Sequence, residues 1–181
     1  GSYDKSLLIS ASYKGRKEIV EKLLLNSNVD VNARSRSRLC FGKTALYWAI
    51  TKGHIDTIGL LLDHGADVDS TIIGGKPALV WAVSEGHTEI VSLILEKKPD
   101  VNMNARSSSC FGDGETALDV AMSNEMFDIV EMLQKRGAEL GPGSYDKSLL
   151  ISASYKGRKE IVEKLLLNSN VDVNARSRSR L

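Results

Sequence analysis

The chain has 181 residues, of which 42% are hydrophobic and 26% are charged, and its 24 basic residues nearly balance its 23 acidic residues. This composition predicts a folded protein with a sizeable core, and it provides no global charge that would attract nucleic acid or a membrane surface. The N-terminus lacks a charged segment followed by an apolar one, and no apolar run approaches the roughly 18 residues of a membrane span. We therefore expect a cytoplasmic (intracellular) protein.

A repeating pattern runs along the chain. Segments that begin at Ser10, Trp48, Trp81 and Val120 align without gaps and start 38, 33 and 39 residues apart. Self-similarity at this spacing indicates a repeat solenoid, in which each unit buries its apolar faces only against its neighbours. The sequence therefore predicts four units, at about residues 5–34, 42–70, 75–106 and 114–140.

Each unit is predicted to contain two short helices. In the second unit, the apolar spacing predicts one helix from Ala45 to Thr51 and another from Ile55 to Asp63. Gly53 and Gly65 follow these helices and can adopt the left-handed conformation that ends a helix. A small residue recurs at one first-helix position of each unit, where it would let neighbouring units approach closely. These residues are Ala11, Ala49, Ala82 and Ala121.

The units resemble ankyrin repeats, whose pattern is G-x-T-P-L-H-x-A-A-x-x-G-H-x-E-I-V-x-L-L-L-x-x-G-A-D-V-N. The second unit matches this pattern at Gly42, Thr44, Leu46, Ala49, Gly53, His54, Leu60, Leu61, Leu62, Gly65, Ala66, Asp67 and Val68. The third unit matches at Gly75, Leu79, Ala82, Gly86, His87, Glu89, Ile90, Val91, Asp100, Val101 and Asn102. The resemblance implies an all-α solenoid of helix-turn-helix units joined by β-hairpin-like loops, and a non-enzymatic role in binding a partner protein.

Several positions depart from the family pattern. Thr44 and Thr116 are followed by alanine in place of proline, and the histidine of the pattern is absent, so we expect weaker hydrogen bonding where the first helices start. Glu125 replaces the glycine of the turn, at a position that favours a positive φ. Ser10 and Ser12 replace larger apolar residues, which predicts that the first unit is a cap with one face in water.

The end of the chain repeats its beginning. Residues Gly143 to Leu181 copy residues Gly1 to Leu39 letter for letter, whereas the units between them have diverged. The join, residues 141–144, reads Gly-Pro-Gly-Ser and resembles the scar of a fusion-tag protease site followed by a cloning site. We interpret the chain as an engineered protein with a linker at 141–144 and a copy of the first unit at 145–181. A natural duplication, or the merging of a piece of a neighbouring copy with its parent, are the alternatives.

The copy has two possible arrangements. It could stack on the fourth unit as a simple fifth repeat, which we favour, although Ser152 and Ser154 predict a poor fit there. Alternatively, it could displace the first unit of another molecule in a domain swap, so that the duplicated repeat drives head-to-tail self-assembly. Return to the second unit of the same chain would cross about 30 to 40 Å, at about 10 Å per unit. Four linker residues reach only about 14 Å.

The sequence contains no recognisable catalytic constellation. Catalytic triads, P-loops, dinucleotide-binding turns and paired metal ligands are absent. His54 and His87 occupy the Gly-His position of the family, where the resemblance implies structural hydrogen bonds to a neighbouring turn, and His64 is predicted to be exposed. Cys40 and Cys110 are interpreted as reduced structural thiols. We predict that the protein is not an enzyme and has no catalytic residue, cofactor or metal.

Two pairs of aromatic residues leave alternatives open. Trp48 and Trp81 occupy equivalent first-helix positions, where packing between units is favoured over an exposed binding site. Phe41 and Phe111 lie in two long loops of similar sequence, and packing under their own hairpins is favoured over a specialised binding loop. The arginines at 34, 36 and 38 form a basic tip that suits solvent or an acidic partner better than RNA.

The resemblance implies that a partner binds the hairpin tips and the exposed side of the first helices. Ile72 and Ile73, flanked by Lys43, Lys52 and Lys76, would suit an acidic and partly hydrophobic protein or peptide, with no nucleic acid or membrane involved. The predicted partner-binding residues are Tyr13, Lys14, Arg34, Arg36, Lys43, Thr51, Lys52, Ile72, Ile73, Lys76, Ser84, Glu85, Glu115, Ser123 and Asn124.

Overall fold

A computed structural model describes residues 7–36, 42–69, 75–107, 114–139 and 147–167. Within these ranges the secondary structure consists of ten helices, with no strand. The helices are α1 (Leu7–Tyr13), α2 (Lys17–Leu24), α3 (Ala45–Thr51), α4 (Ile55–Asp63), α5 (Ala78–Ser84), α6 (Thr88–Lys97), α7 (Ala117–Ser123), α8 (Phe127–Lys135), α9 (Lys147–Tyr155) and α10 (Lys159–Leu167).

The helices form two layers. The first helices of successive units, α1, α3, α5 and α7, contact one another in chain order. The second helices, α2, α4, α6, α8 and α10, form the other layer in the same order. One apolar core runs between the layers, and the small first-helix residue of each unit is buried within it, as the close approach of units requires. These residues are Ala11, Ala49, Ala82, Ala121 and Ala153.

The predicted bounds of α3 and α4 are confirmed. Both threonines cap their first helices, and the expected loss of hydrogen bonding is wrong for α7, where the capping box is complete. The Thr44 hydroxyl accepts a hydrogen bond from the Tyr47 backbone N–H at 3.2 Å. Thr116 forms a full capping box, since it accepts from the Asp119 N–H at 3.1 Å while the Asp119 carboxylate accepts from the Thr116 N–H at 2.9 Å. The threonine side chain itself accepts the N-cap hydrogen bond, so this bond is kept although the proline and histidine of the pattern are missing.

The turn between the two helices of a unit requires a positive φ. Gly53 and Gly86 provide it in the second and third units, with φ of 68° and 74°. In the fourth unit Glu125 adopts φ of 54°, as its position in the pattern predicted. The backbone conformation is therefore kept where the favourable residue is missing.

The long loops close like hairpins at their ends. The Ser35 N–H donates to the Lys43 carbonyl at 2.9 Å, and the Gly42 N–H donates to the Ser35 carbonyl at 2.8 Å. In the later loop the Ser107 N–H donates to the Glu115 carbonyl at 2.9 Å. The loop tips lie outside the described residues, as does the linker, so the predictions for them stay predictions. The residues concerned are Cys40, Phe41, Ile72, Ile73, Cys110, Phe111 and residues 141–144.

The first unit has a face in water, as predicted for a cap, but Ser12 does not lie on that face. Ser10 is exposed, but Ser12 is fully buried, and its hydroxyl has no hydrogen-bond partner among the described residues. The prediction for Ser12 was wrong because the α1 face that carries it packs against α3 of the next unit. The exposed side of this unit is elsewhere, at Leu7 and Ile19.

The copied unit, α9 and α10, lies against the fourth unit. Ile161 and Leu165 are buried there and provide the apolar contact. Ser154, which was expected to fit poorly at this contact, is exposed and takes no part in it. Two cations of the copy reinforce this contact. Lys156 pairs with Glu125 at 2.7 Å, and Arg158 lies 3.1 Å from Asp128 and 3.6 Å from Glu131. The side chains of Lys156 and Arg158 also lie over the ring of Phe127.

Candidate functional site

Four aromatic rings form a continuous row across the first three units. Tyr13 meets Trp48 edge to face with ring centroids 5.1 Å apart, and Trp48 meets Tyr47 in the same way at 5.3 Å. Tyr47 then lies 5.1 Å from Trp81, with the two rings tilted by 32°. We call Tyr13, Trp48, Tyr47 and Trp81 the aromatic row. Because edge-to-face and offset contacts favour aromatic pairs, the row is a defined surface and more than a set of separate side chains.

The aromatic row is open to solvent along part of its length. Trp48, Tyr47 and Trp81 are half-buried, and Tyr13 is 38% exposed. The tryptophans therefore pack between units, as was favoured from the sequence, and also leave part of each ring accessible. An accessible aromatic surface held in place by its neighbours can bind an apolar side chain with little loss of conformational freedom.

Lysines lie over the faces of these rings. Lys43 Nζ is 4.7 Å from the centroid of Tyr47 and 4.8 Å from that of Trp48. Lys52 Nζ lies 4.9 Å from the Tyr13 ring, and Lys14 Nζ lies 5.5 Å from it. Each such cation–π contact is worth about 0.5–1 kcal/mol at an exposed site. The contacts hold three positive charges along the aromatic row.

These charges are not neutralised by the described part of the chain. No carboxylate in it comes within 4.0 Å of the ammonium groups of Lys14, Lys43 or Lys52. Lys156, the counterpart of Lys14 in the copied unit, differs because it is paired with Glu125. The aromatic row is consequently lined with cations that are available to an acidic ligand.

Hydrogen bonds fix the end of the row at the third unit. Thr51 donates to the Tyr47 carbonyl at 2.8 Å and accepts from Trp81 Nε1 at 3.0 Å. Lys76 Nζ donates to the Ser84 hydroxyl at 2.8 Å. A small recess lies beside Trp81, and its walls include Thr44, Tyr47, Asp67, Lys76 and Trp81.

The predicted partner-binding residues therefore fall into three groups. Those gathered around the aromatic row and its recess are Tyr13, Lys14, Lys43, Thr51, Lys52, Lys76 and Ser84. Those that are exposed but have no described contact with the row are Arg34, Arg36, Glu85, Glu115, Ser123 and Asn124. Ile72 and Ile73 lie outside the described residues.

Sequence reasoning missed Tyr47, Trp48 and Trp81 as members of the candidate surface. The tryptophans were treated as either core or exposed, whereas each is partly both. The signal that could have identified the row is the adjacent pair Tyr47-Trp48, because both rings fall outside the apolar stripe of Leu46, Ala49 and Ile50 on the same helix.

The histidines have structural positions. His54 Nε2 lies 3.2 Å from the Tyr13 carbonyl of the preceding turn, as the resemblance implied. The His87 ring lies beside Gly53, and His64 is exposed, with Nδ1 2.9 Å from the Leu60 carbonyl. Within the described ranges no group of three or more His, Cys, Asp or Glu side chains could hold a metal ion. No helix in those ranges is both long enough and apolar enough to cross a bilayer.

The fold and this surface define a helical repeat solenoid with an aromatic and basic side. The model of ankyrin repeats, which describes three copies at a time, matches residues 7–107, 68–142 and 102–177. The chain belongs to the ankyrin-repeat family. It is also 38% identical over 65 residues to the palmitoyltransferase akr1 of Schizosaccharomyces pombe. That alignment covers 36% of this chain and 9% of the palmitoyltransferase, so the chain spans only a small fraction of that relative.

Proposed function

We propose that the chain is a non-enzymatic interaction scaffold that binds an acidic, partly hydrophobic segment of a partner protein along the aromatic row. The observation that carries this proposal is the combination of partly exposed rings with lysines that lack a carboxylate neighbour in the described residues. Family membership supports a role in protein binding, and the surface supports the chemistry of the partner.

The partner's apolar side chains would lie on the open edges of Trp48, Tyr47 and Trp81. Its carboxylates would pair with Lys43 and Lys52, which are already positioned by the rings and so lose little freedom on binding. Lys76 lines the small recess beside Trp81 and would supply a further cation at that end of the row. Such an interface combines aromatic anchors with charge complementarity, which speeds association and selects against basic partners.

The test uses a fluorescein-labelled peptide of about 15 residues built from Asp, Glu, Leu and Phe, and a control peptide with Lys and Arg in place of the acids. We expect the acidic peptide to bind, to change the tryptophan fluorescence of the chain, and to bind more weakly as salt concentration rises. Lys52→Glu and Lys76→Glu should each weaken binding about three- to tenfold.

A matched control is Lys135→Glu on α8, which makes the same charge change in the second-helix layer, away from the row. It should leave affinity within about twofold of the parent chain. Equal affinity for the acidic and basic peptides, or equal weakening by all three reversals, would contradict a site at the aromatic row.

A further inference from the structure

The first unit and its copy have the same sequence but bury opposite faces. We call the face toward the preceding unit the upstream face and the face toward the following unit the downstream face. In the first unit the downstream face is covered by α3 and α4. In the copy the upstream face is covered by α8.

The downstream contact of the first unit is built from specific groups. Tyr13 packs on Trp48, and the Tyr13 carbonyl lies 3.2 Å from His54 Nε2. Gly15 lies so close to the His54 ring that a Cβ added to it would be 2.7 Å from Nδ1. Val20 on α2 is fully buried.

The counterparts of these residues are more exposed in the copy. Tyr155, the counterpart of Tyr13, is 90% exposed. A Cβ on Gly157 would meet nothing within 4 Å. Val162, the counterpart of the fully buried Val20, is only half-buried, and Leu166 on the same helix is exposed. The copy therefore presents a face that none of the described residues covers, and the surface complementary to it is known: the upstream face of α3 and α4.

We propose that the copied unit, α9 and α10, binds α3 and α4 of a second copy of this chain and displaces that chain's own first unit. The contacts formed with α3 and α4 match those lost there, because the two segments are identical in sequence. The copy would then be buried on both faces, between α8 of its own chain and α3–α4 of the next. The exchange would put Tyr155 of one chain on Trp48 of the next in place of Tyr13, so the two surfaces share the Tyr13–Trp48 contact. The self-association itself does not depend on the proposed peptide binding, because its test measures mass in the absence of any peptide.

The balance between the two states follows from how a solenoid is stabilised. A repeat unit that contacts one neighbour contributes little beyond that contact. The exchange keeps the number of contacts between units constant and releases the first unit from its folded conformation, so the released chain entropy favours it. The translational and rotational freedom lost on association opposes the exchange, and so does the high effective concentration of the chain's own first unit. Concentration therefore decides the outcome.

The partner must be another molecule because the copy lies at the far end of the stack from α3 and α4. The exchanged contact is head-to-tail, so it repeats: each chain adds its second to fourth units and the copy to a continuous solenoid that closes into a ring or extends as a fibre.

The test measures the mass of the full chain by light scattering over a wide range of concentrations. Val20→Asp should expel the first unit and uncover α3 and α4, so that mass begins to rise at a concentration at least tenfold below that of the parent chain. Val162→Asp makes the same change in the copy and should leave a monomer at every concentration. Val20→Asp combined with Val162→Asp should also remain a monomer.

A second donor variant guards against misfolding of the copy. Tyr155→Ala alters a side chain that is 90% exposed in the single chain, so it should not disturb folding. In the Val20→Asp background it should raise the concentration for half-assembly about tenfold, because it removes the ring that would stack on Trp48 of the next molecule. The proposal is overturned if the Val20→Asp chain stays monomeric while circular dichroism shows that its other units are folded. It is equally overturned if Val162→Asp and Tyr155→Ala leave its assembly unchanged.

Discussion

Ile19 and Ile161 are the same residue of the same 39-residue sequence, yet Ile19 is 51% exposed and Ile161 is fully buried. Ile161 lies on α10 at the contact with α8, whereas Ile19 lies on the uncovered upstream side of α2. Burial of such a side chain is worth about 1.5–3 kcal/mol. The difference therefore arises entirely from which neighbour is present.

Truncation of these two isoleucines should have very different effects. We expect Ile161→Ala to lower the free energy of unfolding of the copied unit by about 2–5 kcal/mol, because it leaves a cavity against α8. Ile19→Ala should change stability by no more than about 0.5 kcal/mol. Urea denaturation, with hydrogen exchange to locate the loss at α9 and α10, measures both. Similar losses at the two sites would mean that the copy does not pack on the fourth unit.

The buried hydroxyl of Ser12 supplies a second matched pair. Ser12→Ala removes an oxygen that has no described hydrogen-bond partner, so we expect it to stabilise the first unit by about 1 kcal/mol or more. Ser154→Ala, at the exposed counterpart, should give only the helix-propensity gain of about 0.5 kcal/mol. Thermal unfolding of the two variants beside the parent chain measures the difference. A Ser12→Ala variant less stable than the parent would indicate that the hydroxyl is satisfied in solution.

Relief of the unfavourable backbone conformation at Glu125 should stabilise the chain. Glu125→Gly removes a side chain from a residue at φ of 54°, which favours the fold by about 1–2 kcal/mol, but it also removes the exposed ion pair with Lys156, worth about 0–1 kcal/mol. The net gain should be larger when the same change is made in a Lys156→Ala background, where the ion pair is already lost. Denaturant titration of the parent chain, the two single variants and the double variant gives the contributions of the backbone conformation and of the ion pair. Equal gains in the two backgrounds would show that the pair contributes nothing.

The carboxyl group of Asp69 should make stability depend on pH. Partial burial raises its pKa above the ordinary value, the hydrogen bond from the Asn102 N–H opposes this rise, and the charges of Asp67 and Asp100 add to it. The folded chain then holds this proton more tightly than the unfolded chain does, so the ionised group weakens the fold at neutral pH. That cost fades as the pH falls through the raised pKa, and it is absent below the unfolded-state pKa.

Asp69→Asn should consequently raise stability at pH 7, because asparagine keeps an oxygen that can accept from Asn102 and carries no charge. The advantage over the parent chain should shrink to nothing by about pH 3, below the unfolded pKa of about 3.9. Thermal unfolding at both pH values measures it. An advantage that is the same at both, or a loss at pH 7, would exclude ionisation of Asp69 as the cause.

The sequence by itself determined the repeat architecture, the bounds of α3 and α4, and the positive φ at Glu125. These features depend on spacing along the chain, on apolar periodicity and on turn geometry, all of which are local. The sequence also located all four lysines of the candidate surface, Lys14, Lys43, Lys52 and Lys76, from their positions in the repeat pattern.

Only the tertiary structure decided which face of each unit is covered. Ser12 is buried and Ser154 exposed, and Tyr13 joins the aromatic row while Tyr155 stands open, although the letters around them are the same. The aromatic row likewise required the stacking of three units, because Tyr13, Trp48 and Trp81 come from three different units. The exposure of a side chain depends on its neighbours in space, and identical segments with different neighbours must therefore differ.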